Sequence, residues 1–372
     1  MRLAIFLPSF GDGGVERMLV NLAGGLVARG LEVDFLTRGG KGPYLDGLDG
    51  RVRLIETTHG GLFDVQPALC RYLRESKPDF VLCGKDKAAL SFLLARLLTG
   101  VSSRLVMRPG TNFSARLAEL GAWSGWRKRW LIRITHRAAV AVVGNSADIV
   151  ADIARVADLP PGRVHLIRNP VVTPSMALQA AEPLDHPWFA AGQPPVIMGV
   201  GRLGQVKGFD VLLEAFAQVR RRRPCRLLIL GEGRLRGELE AQAAKLGVKD
   251  DCGLPGFDPN PYRYLSRAAL FVLSSRREGS PNALTEALAL GTPVVAADCP
   301  SGPHELLKGG EIGPLVPVDD ALALVAAIER TLDEPGEAHR RRLAVDEYTV
   351  ETCAARYHAL FQRLLADEEA EG

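Results

Sequence analysis

The sequence predicts an α/β protein with two doubly wound domains, each built on a parallel sheet. Short apolar runs that read as buried strands alternate with segments of helical periodicity, the order that builds such sheets. The 372 residues exceed what a single core normally holds. Thr173 to Pro195, rich in Pro, Ala and polar residues, has no sustained pattern and divides the chain. Residues 1–175 are therefore expected to form one domain, 176–195 a linker and 196–345 a second domain. Residues 346–372 are expected to be a last helix ending in an acidic, frayed tail.

In the first half, Leu3 to Leu7 reads as a strand and Pro8 to Gly14 as the glycine-rich loop after it. Val15, Met18, Leu19, Leu22, Ala23 and Leu26 then recur at helical spacing, and Gly30 closes that helix. Strands follow at Leu31 to Leu36, Val52 to Ile55, Phe80 to Cys83, Leu105 to Arg108, Val140 to Val143 and Val164 to Ile167. Helices are expected at Gln66 to Glu75, Ala88 to Leu98 and, after Gly144-Asn145-Ser146, through Ala154. Gly13 and Gly14 lie where doubly wound folds place an anion or ligand, although they also suit an ordinary turn. The dinucleotide fingerprint G-x-G-x-x-G is absent from this loop.

The segment WSGWRKRWLIRITHR, Trp123 to Arg137, interleaves Trp123, Trp126 and Trp130 with Arg127, Lys128, Arg129, Arg133 and Arg137. Trp126, Trp130 and Ile134 share one helical face. This pattern suits a helix lying in an anionic membrane interface, where each basic group adds roughly 1 kcal/mol. The alternative is a core helix with its tryptophans turned inward and its charges solvated.

In the second half, Val196 to Gly199 reads as a strand, followed by the loop Gly201-Arg202-Leu203-Gly204-Gln205-Val206-Lys207-Gly208 and a helix. Arg202 and Lys207 beside a helix start suit phosphate contact, arginine through a fork and lysine as a point charge. Arg226 to Leu230 is the next strand, and Leu254-Pro255-Gly256-Phe257 an edge. The stretch FVLSSRREGSPNALTEALALGTPVVAADCP, Phe271 to Pro300, reads strand, charged turn, helix, strand. Pro281 suits a helix start, Asn282 to Leu290 continues it, and Gly291 ends it. A helix start offers N–H donors to an anion. Glu278 and Glu286 flank this one, though a solvated loop acid and a solvent-facing helix residue would be spelled the same way. Leu315 to Val318 and Ala321 to Leu332 form a last strand and helix. Ala355, Tyr357, Leu360, Phe361 and Leu364 mark a final amphipathic segment.

Composition is that of an ordinary globular protein, 47% hydrophobic and 24% charged. A formal charge of +3 carries no argument for nucleic acid, and no recognition module accompanies it. Six scattered cysteines without a C-x-x-C suit buried thiols in a reducing compartment. No run approaches the roughly 18 apolar residues of a membrane span. The N-terminal apolar run leads straight into a glycine turn, so it reads as a first strand and not a signal peptide.

The order Glu278-Gly279 through Glu286, spelled EGSPNALTE and followed by A-x-x-x-G-x-P-V-V, resembles the E-x7-E signature of retaining glycosyltransferases of family 4. G-R-L-x-x-x-K-G-x-D at 201–210 is similar to a further pattern of that family. The resemblance covers nearly the whole chain, most strongly between residues 196 and 318. It implies the GT-B fold, with two Rossmann-like domains facing across a cleft and the C-terminal helix crossing back onto the first, acceptor-side domain.

The resemblance also implies a nucleotide-sugar donor and no metal. Arg202 and Lys207 would hold the donor pyrophosphate, joined by backbone groups of Gly279, Ser280, Pro281, Asn282, Ala283 and Leu284. Glu286 would bind the ribose, Glu278 the donor sugar, and Gly256 and Phe257 the nucleobase. Gly13 and Gly14 would meet the diphosphate from the first domain. Many family members place a histidine near the transferred sugar, where this chain has Arg108, and Asn145 would approach the acceptor.

The form D-C-P-S-G-P-x-E-L-L at 298–307 is similar to a subgroup that transfers N-acetylhexosamines onto polyprenyl-diphosphate-linked glycans. The expectation is thus a UDP-sugar-dependent enzyme of lipopolysaccharide or polysaccharide assembly, peripheral on the cytoplasmic face of a membrane. A glucose or mannose transferase with a soluble acceptor, and a non-catalytic sugar-nucleotide binder, remain as alternatives.

Overall fold

The computed structural model describes residues 1–8, 13–38, 44–57 and 64–371. Residues 9–12 of the predicted first glycine loop lie outside the described residues. The chain divides into two compact units, Met1–Pro170 with Thr349–Gly372, and Val171–Tyr348.

The first unit is built on a seven-stranded sheet ordered β3-β2-β1-β4-β5-β6-β7. Its strands are β1 Arg2–Leu7, β2 Glu32–Arg38, β3 Arg53–Thr57, β4 Phe80–Cys83, β5 Arg104–Met107, β6 Ala141–Gly144 and β7 Val164–Leu166. All pairings are parallel. Alternate residues of β1 feed opposite cores, as the two-residue repeat of a strand requires. Leu3, Ile5 and Leu7 join Met18, Leu22, Tyr357 and Phe361 on one side. Ala4 and Phe6 join Phe92, Ile132 and Ile153 on the other.

The C-terminal helix Val350–Glu371 packs on the helix Gly14–Val27 within this unit, and Phe361 stacks on Phe80 at 4.9 Å. It begins earlier and runs further than the amphipathic segment predicted, and the tail expected to fray continues as helix. No Gly or Pro interrupts ADEEAE, and Ala and Glu favour helix.

The second unit carries a six-stranded parallel sheet ordered β10-β9-β8-β11-β12-β13. Its strands are β8 Val196–Val200, β9 Arg226–Leu230, β10 Cys252–Gly256, β11 Leu270–Leu273, β12 Val294–Ala297 and β13 Leu315–Val316. β11 is buried along its whole length, which is why it reads as an unbroken apolar run. Strand order reverses between β8 and β11, and the register Leu270↔Ile197, Phe271↔Met198 sets their carboxyl ends level. The loops at 201–208 and 274–280 therefore leave the sheet side by side at its topological switch point, where doubly wound sheets bind ligands.

The stretch expected as a linker is ordered within this unit. A helix Met176–Ala181 buries Met176 and Ala180 against Tyr262, and Asn260 Nδ2 donates to the Gln179 carbonyl at 2.9 Å. At six residues the helix is too short to show a period. The N–H groups of Val171 and Val172 both donate to the Tyr348 carbonyl, at 2.9 and 3.0 Å, which ties the two ends of the unit together.

Candidate active site

The loop after β8 turns through a short 3₁₀ segment, Gln205–Lys207, into the helix Phe209–Arg222. Gly208 makes that entry at φ +61, and a Cβ there would lie 2.1 Å from the Ser274 carbonyl oxygen. Only glycine fits a left-handed residue pressed onto another backbone. The two loops are then stitched together. Ser274 Oγ donates to the Lys207 carbonyl at 2.9 Å and Arg276 N–H to the Val206 carbonyl at 2.8 Å. The Arg276 guanidinium reaches the Gln205 carbonyl at 2.6 Å, forks onto both Asp210 carboxylate oxygens at 3.0 and 2.6 Å, and meets Asp319 at 2.7 Å.

This stitching brings two of the predicted residues together. Lys207 Nζ donates to Glu278 Oε1 at 2.7 Å, and Ser275 Oγ donates to the same oxygen at 2.6 Å. Arg202 is exposed on the β8 loop, whereas Lys207 is half-buried. Burial pushes the nearby Cys299 thiol up to about 12, with the negative charge of Glu278 adding to the rise, so the thiol is neutral at physiological pH.

The helix after β11 spans Asn282–Leu290, with Pro281 as its N-cap. Its backbone bond from Thr285 N–H to the Pro281 carbonyl, 3.0 Å, leaves the N–H groups of Asn282, Ala283 and Leu284 outside the helical ladder. Gly279 and Ser280 lead into this start, half-buried. The Leu284 side chain is in the core, so only its backbone is presented here. Glu286 is 5% exposed, which removes the reading of it as a solvent-facing helix residue.

The loop 299–302 closes over the same start. Ser301 holds φ +68, unusual for a residue with a Cβ, and Gly302 follows at φ +120. A Cβ on Gly302 would lie 2.6 Å from Pro281 Cδ. Gly256, at the end of β10, and the exposed Phe257 sit at the same carboxyl edge, two strands from β8 or roughly 10 Å away.

The remaining predicted residues belong to the first unit. Gly13 caps the helix Gly14–Val27 with an extended backbone, φ −83 and ψ 161, so its turn makes no left-handed demand. Gly14 is the first residue of that helix. Arg108 is 2% exposed at the end of β5 and donates to Asn169 Oδ1. It lies beside Tyr357, whose phenol burial pushes up to about 12. Ser146 caps its helix by accepting from Ile149 N–H at 3.3 Å, while Asn145 is buried next to it.

Sequence reasoning missed Ser274, Ser275 and Arg276, which it read as a strand end and a charged turn. Their adjacency to Glu278 was visible, but the partners on the β8 loop are distant in sequence. Among the described residues, no group of three or more His, Cys, Asp and Glu side chains is placed to hold a metal ion.

The helix Ala122–Arg137 departs from the core-helix alternative. Its buried seam is Ile132, Thr135 and His136, whereas Trp123, Trp126 and Trp130 are 70%, 58% and 59% exposed. The tryptophans thus face outward, contrary to the core-helix alternative, and Trp123 stacks on Trp126 at 5.2 Å. Arg127, Arg129, Arg133 and Arg137 are exposed around them, and the helix contains no acidic residue. Lys128 differs from its neighbours: it turns inward to the buried carboxylate of Asp86. Among the described residues, no helix is long and apolar enough to cross a membrane.

Residues 13–170 match the family model described as Glycosyl transferase 4-like domain, and residues 183–348 match Glycosyl transferases group 1. HepE of Anabaena, solved in complex with UDP, superposes with a TM-score of 0.77 at 19% identity, over 98% of this chain and 100% of that one. A glycosyltransferase from Rickettsia africae superposes at 0.81 with 16% identity, over 98% of each chain. The two doubly wound units thus form a two-domain Rossmann-like protein with the GT-B fold.

The chain is 26% identical over 375 residues to the N-acetylgalactosamine-N,N'-diacetylbacillosaminyl-diphospho-undecaprenol 4-alpha-N-acetylgalactosaminyltransferase of Campylobacter jejuni, covering 96% of this chain and 99% of that protein. It is 29% identical over 339 residues to the lipopolysaccharide core biosynthesis glycosyltransferase LpsE of Rhizobium meliloti, covering 90% and 89%. The protein belongs to the GT-B glycosyltransferases of the family 4 type.

Proposed function

We propose that this glycosyltransferase moves an N-acetylhexosamine from a UDP-sugar to a lipid-linked glycan, with retention at the anomeric carbon. The observation that carries the proposal is the junction at the β8–β11 switch point, where Lys207 and Glu278 meet beside the start of the Asn282–Leu290 helix. Transfer breaks the bond from the anomeric carbon to a diphosphate, and negative charge grows on the leaving group. Preorganised cations and N–H donors lower that barrier.

Lys207 and Arg202 neutralise the diphosphate, and the backbone from Gly279 to Leu284 donates to its oxygens. No metal is assigned a part. Glu286 binds the ribose hydroxyls and Glu278 those of the donor sugar. Gly256 and Phe257 meet the base. The acceptor attacks on the face that the leaving group departs from, and the departing phosphate takes its proton.

The N-acetylhexosamine and the polyprenyl-diphosphate acceptor are supported by the D-C-P-S-G-P spelling and by the printed activity of the Campylobacter relative. A peripheral position on the cytoplasmic face of a membrane is supported by the outward tryptophans and acid-free basic face of the Ala122–Arg137 helix. The test is a donor panel, each nucleotide sugar assayed for thermal shift and for nucleotide release with polyprenyl-diphosphate-linked glycan. UDP-N-acetylhexosamines are expected to give both responses. Preference for a glucose or mannose nucleotide with a soluble acceptor would overturn the proposed donor and acceptor.

A further inference from the structure

We infer that Ser275 is a positioning residue for the transfer reaction, holding the Glu278 carboxylate in the orientation that receives the donor sugar. The inference rests on the reading of Glu278 as the acid that faces that sugar. Ser275 is 1% exposed at the end of β11, and its hydroxyl donates to Glu278 Oε1 at 2.6 Å. Lys207 Nζ donates to that same oxygen at 2.7 Å. Both bonds fall on Oε1, which leaves Oε2 to accept from a sugar hydroxyl, and the Glu278 side chain is 10% exposed.

The two partners differ in what else they serve. Lys207 sits on a flexible stem and is also assigned to the diphosphate, so donor binding divides its hold on Glu278. Ser275 is held by its burial two residues beyond the end of β11, and its one proton stays on the carboxylate whichever ligand is bound. A glutamate with three rotatable side-chain bonds needs such an anchor, because small misplacements of a substrate-binding group carry large penalties in rate.

The experiment uses calorimetry of the whole chain with UDP and with UDP-N-acetylgalactosamine, alongside steady-state UDP release. Ser275→Ala is expected to leave UDP affinity within about twofold while weakening UDP-N-acetylgalactosamine about tenfold and lowering kcat. Glu278→Ala is expected to shift the same ratio in the same direction and further. Ser275→Thr and Ser275→Val have nearly equal volume and differ by the hydroxyl, so Thr should recover the sugar preference and Val should not.

Equal loss of both ligands in Ser275→Ala, or equal behaviour of the Thr and Val variants, would show a merely structural serine and overturn the inference. An unshifted ratio in Glu278→Ala, or failure of the parent chain to bind UDP, removes the reading of Glu278 and this inference with it.

Discussion

Gly208 and Ser274 approach so closely that the space for a Cβ on the glycine is taken by the serine's carbonyl oxygen, 2.1 Å from where that carbon would sit. The contact joins the loop carrying Arg202 and Lys207 to the one carrying Glu278. Gly208→Ala therefore forces a left-handed alanine and a backbone collision together. Thermal unfolding should show a loss of about 2–3 kcal/mol, with weakened UDP binding. An unchanged melting temperature would mean that the loops are not fastened here.

Arg276 is the second fastening. Removing its guanidinium leaves Asp210 and Asp319 without that partner and frees the Gln205 carbonyl. The pair is partly exposed, so screening holds the stability loss in Arg276→Ala to about 1 kcal/mol. The larger effect should be a severalfold rise in donor KM, read from initial rates.

The Ala122–Arg137 helix separates two kinds of basic residue. Trp126→Ala with Trp130→Ala should abolish flotation with anionic liposomes while stability stays within about 0.5 kcal/mol, because both rings are exposed. Lys128→Ala removes the ammonium partner of the buried Asp86 carboxylate, leaving it the long bond from Thr135 Oγ1, and should destabilise the fold by about 2–3 kcal/mol. Retained flotation in the tryptophan variant would remove the membrane surface.

Burial holds the His136 imidazole below its ordinary value near 6.5, and the half-buried His165 and partly buried His186 shift the same way. Their unfolded forms bind protons first. Stability is thus fully present above about pH 6.5 and falls as pH drops through the lower folded values. Melting temperatures measured from pH 8 to 5 should show this decline, and His136→Gln should flatten it.

Most of the fold was legible because strands buried on both faces spell unbroken apolar runs, as Phe80–Cys83 and Leu270–Leu273 do. The helices Phe113–Ala118, Met176–Ala181 and Ala338–Leu343 were not, since six residues show less than two turns of any period. Glu278 and Lys207 were legible as motif members. Their hydrogen bond was not, because it depends on the level register of β8 and β11. Ser275 carries no sequence signal apart from its place before the acid. Lys128 looked like any other base in its run, and its inward turn is decided by Asp86 on a different helix.

The most direct measurement is calorimetric titration of UDP into the parent chain and Lys207→Ala. Losing the ammonium should weaken UDP by about 2 kcal/mol, roughly 30-fold, with the fold retained by circular dichroism. Equal affinity in the two proteins would place the diphosphate away from the β8–β11 junction and contradict the assignment of the site.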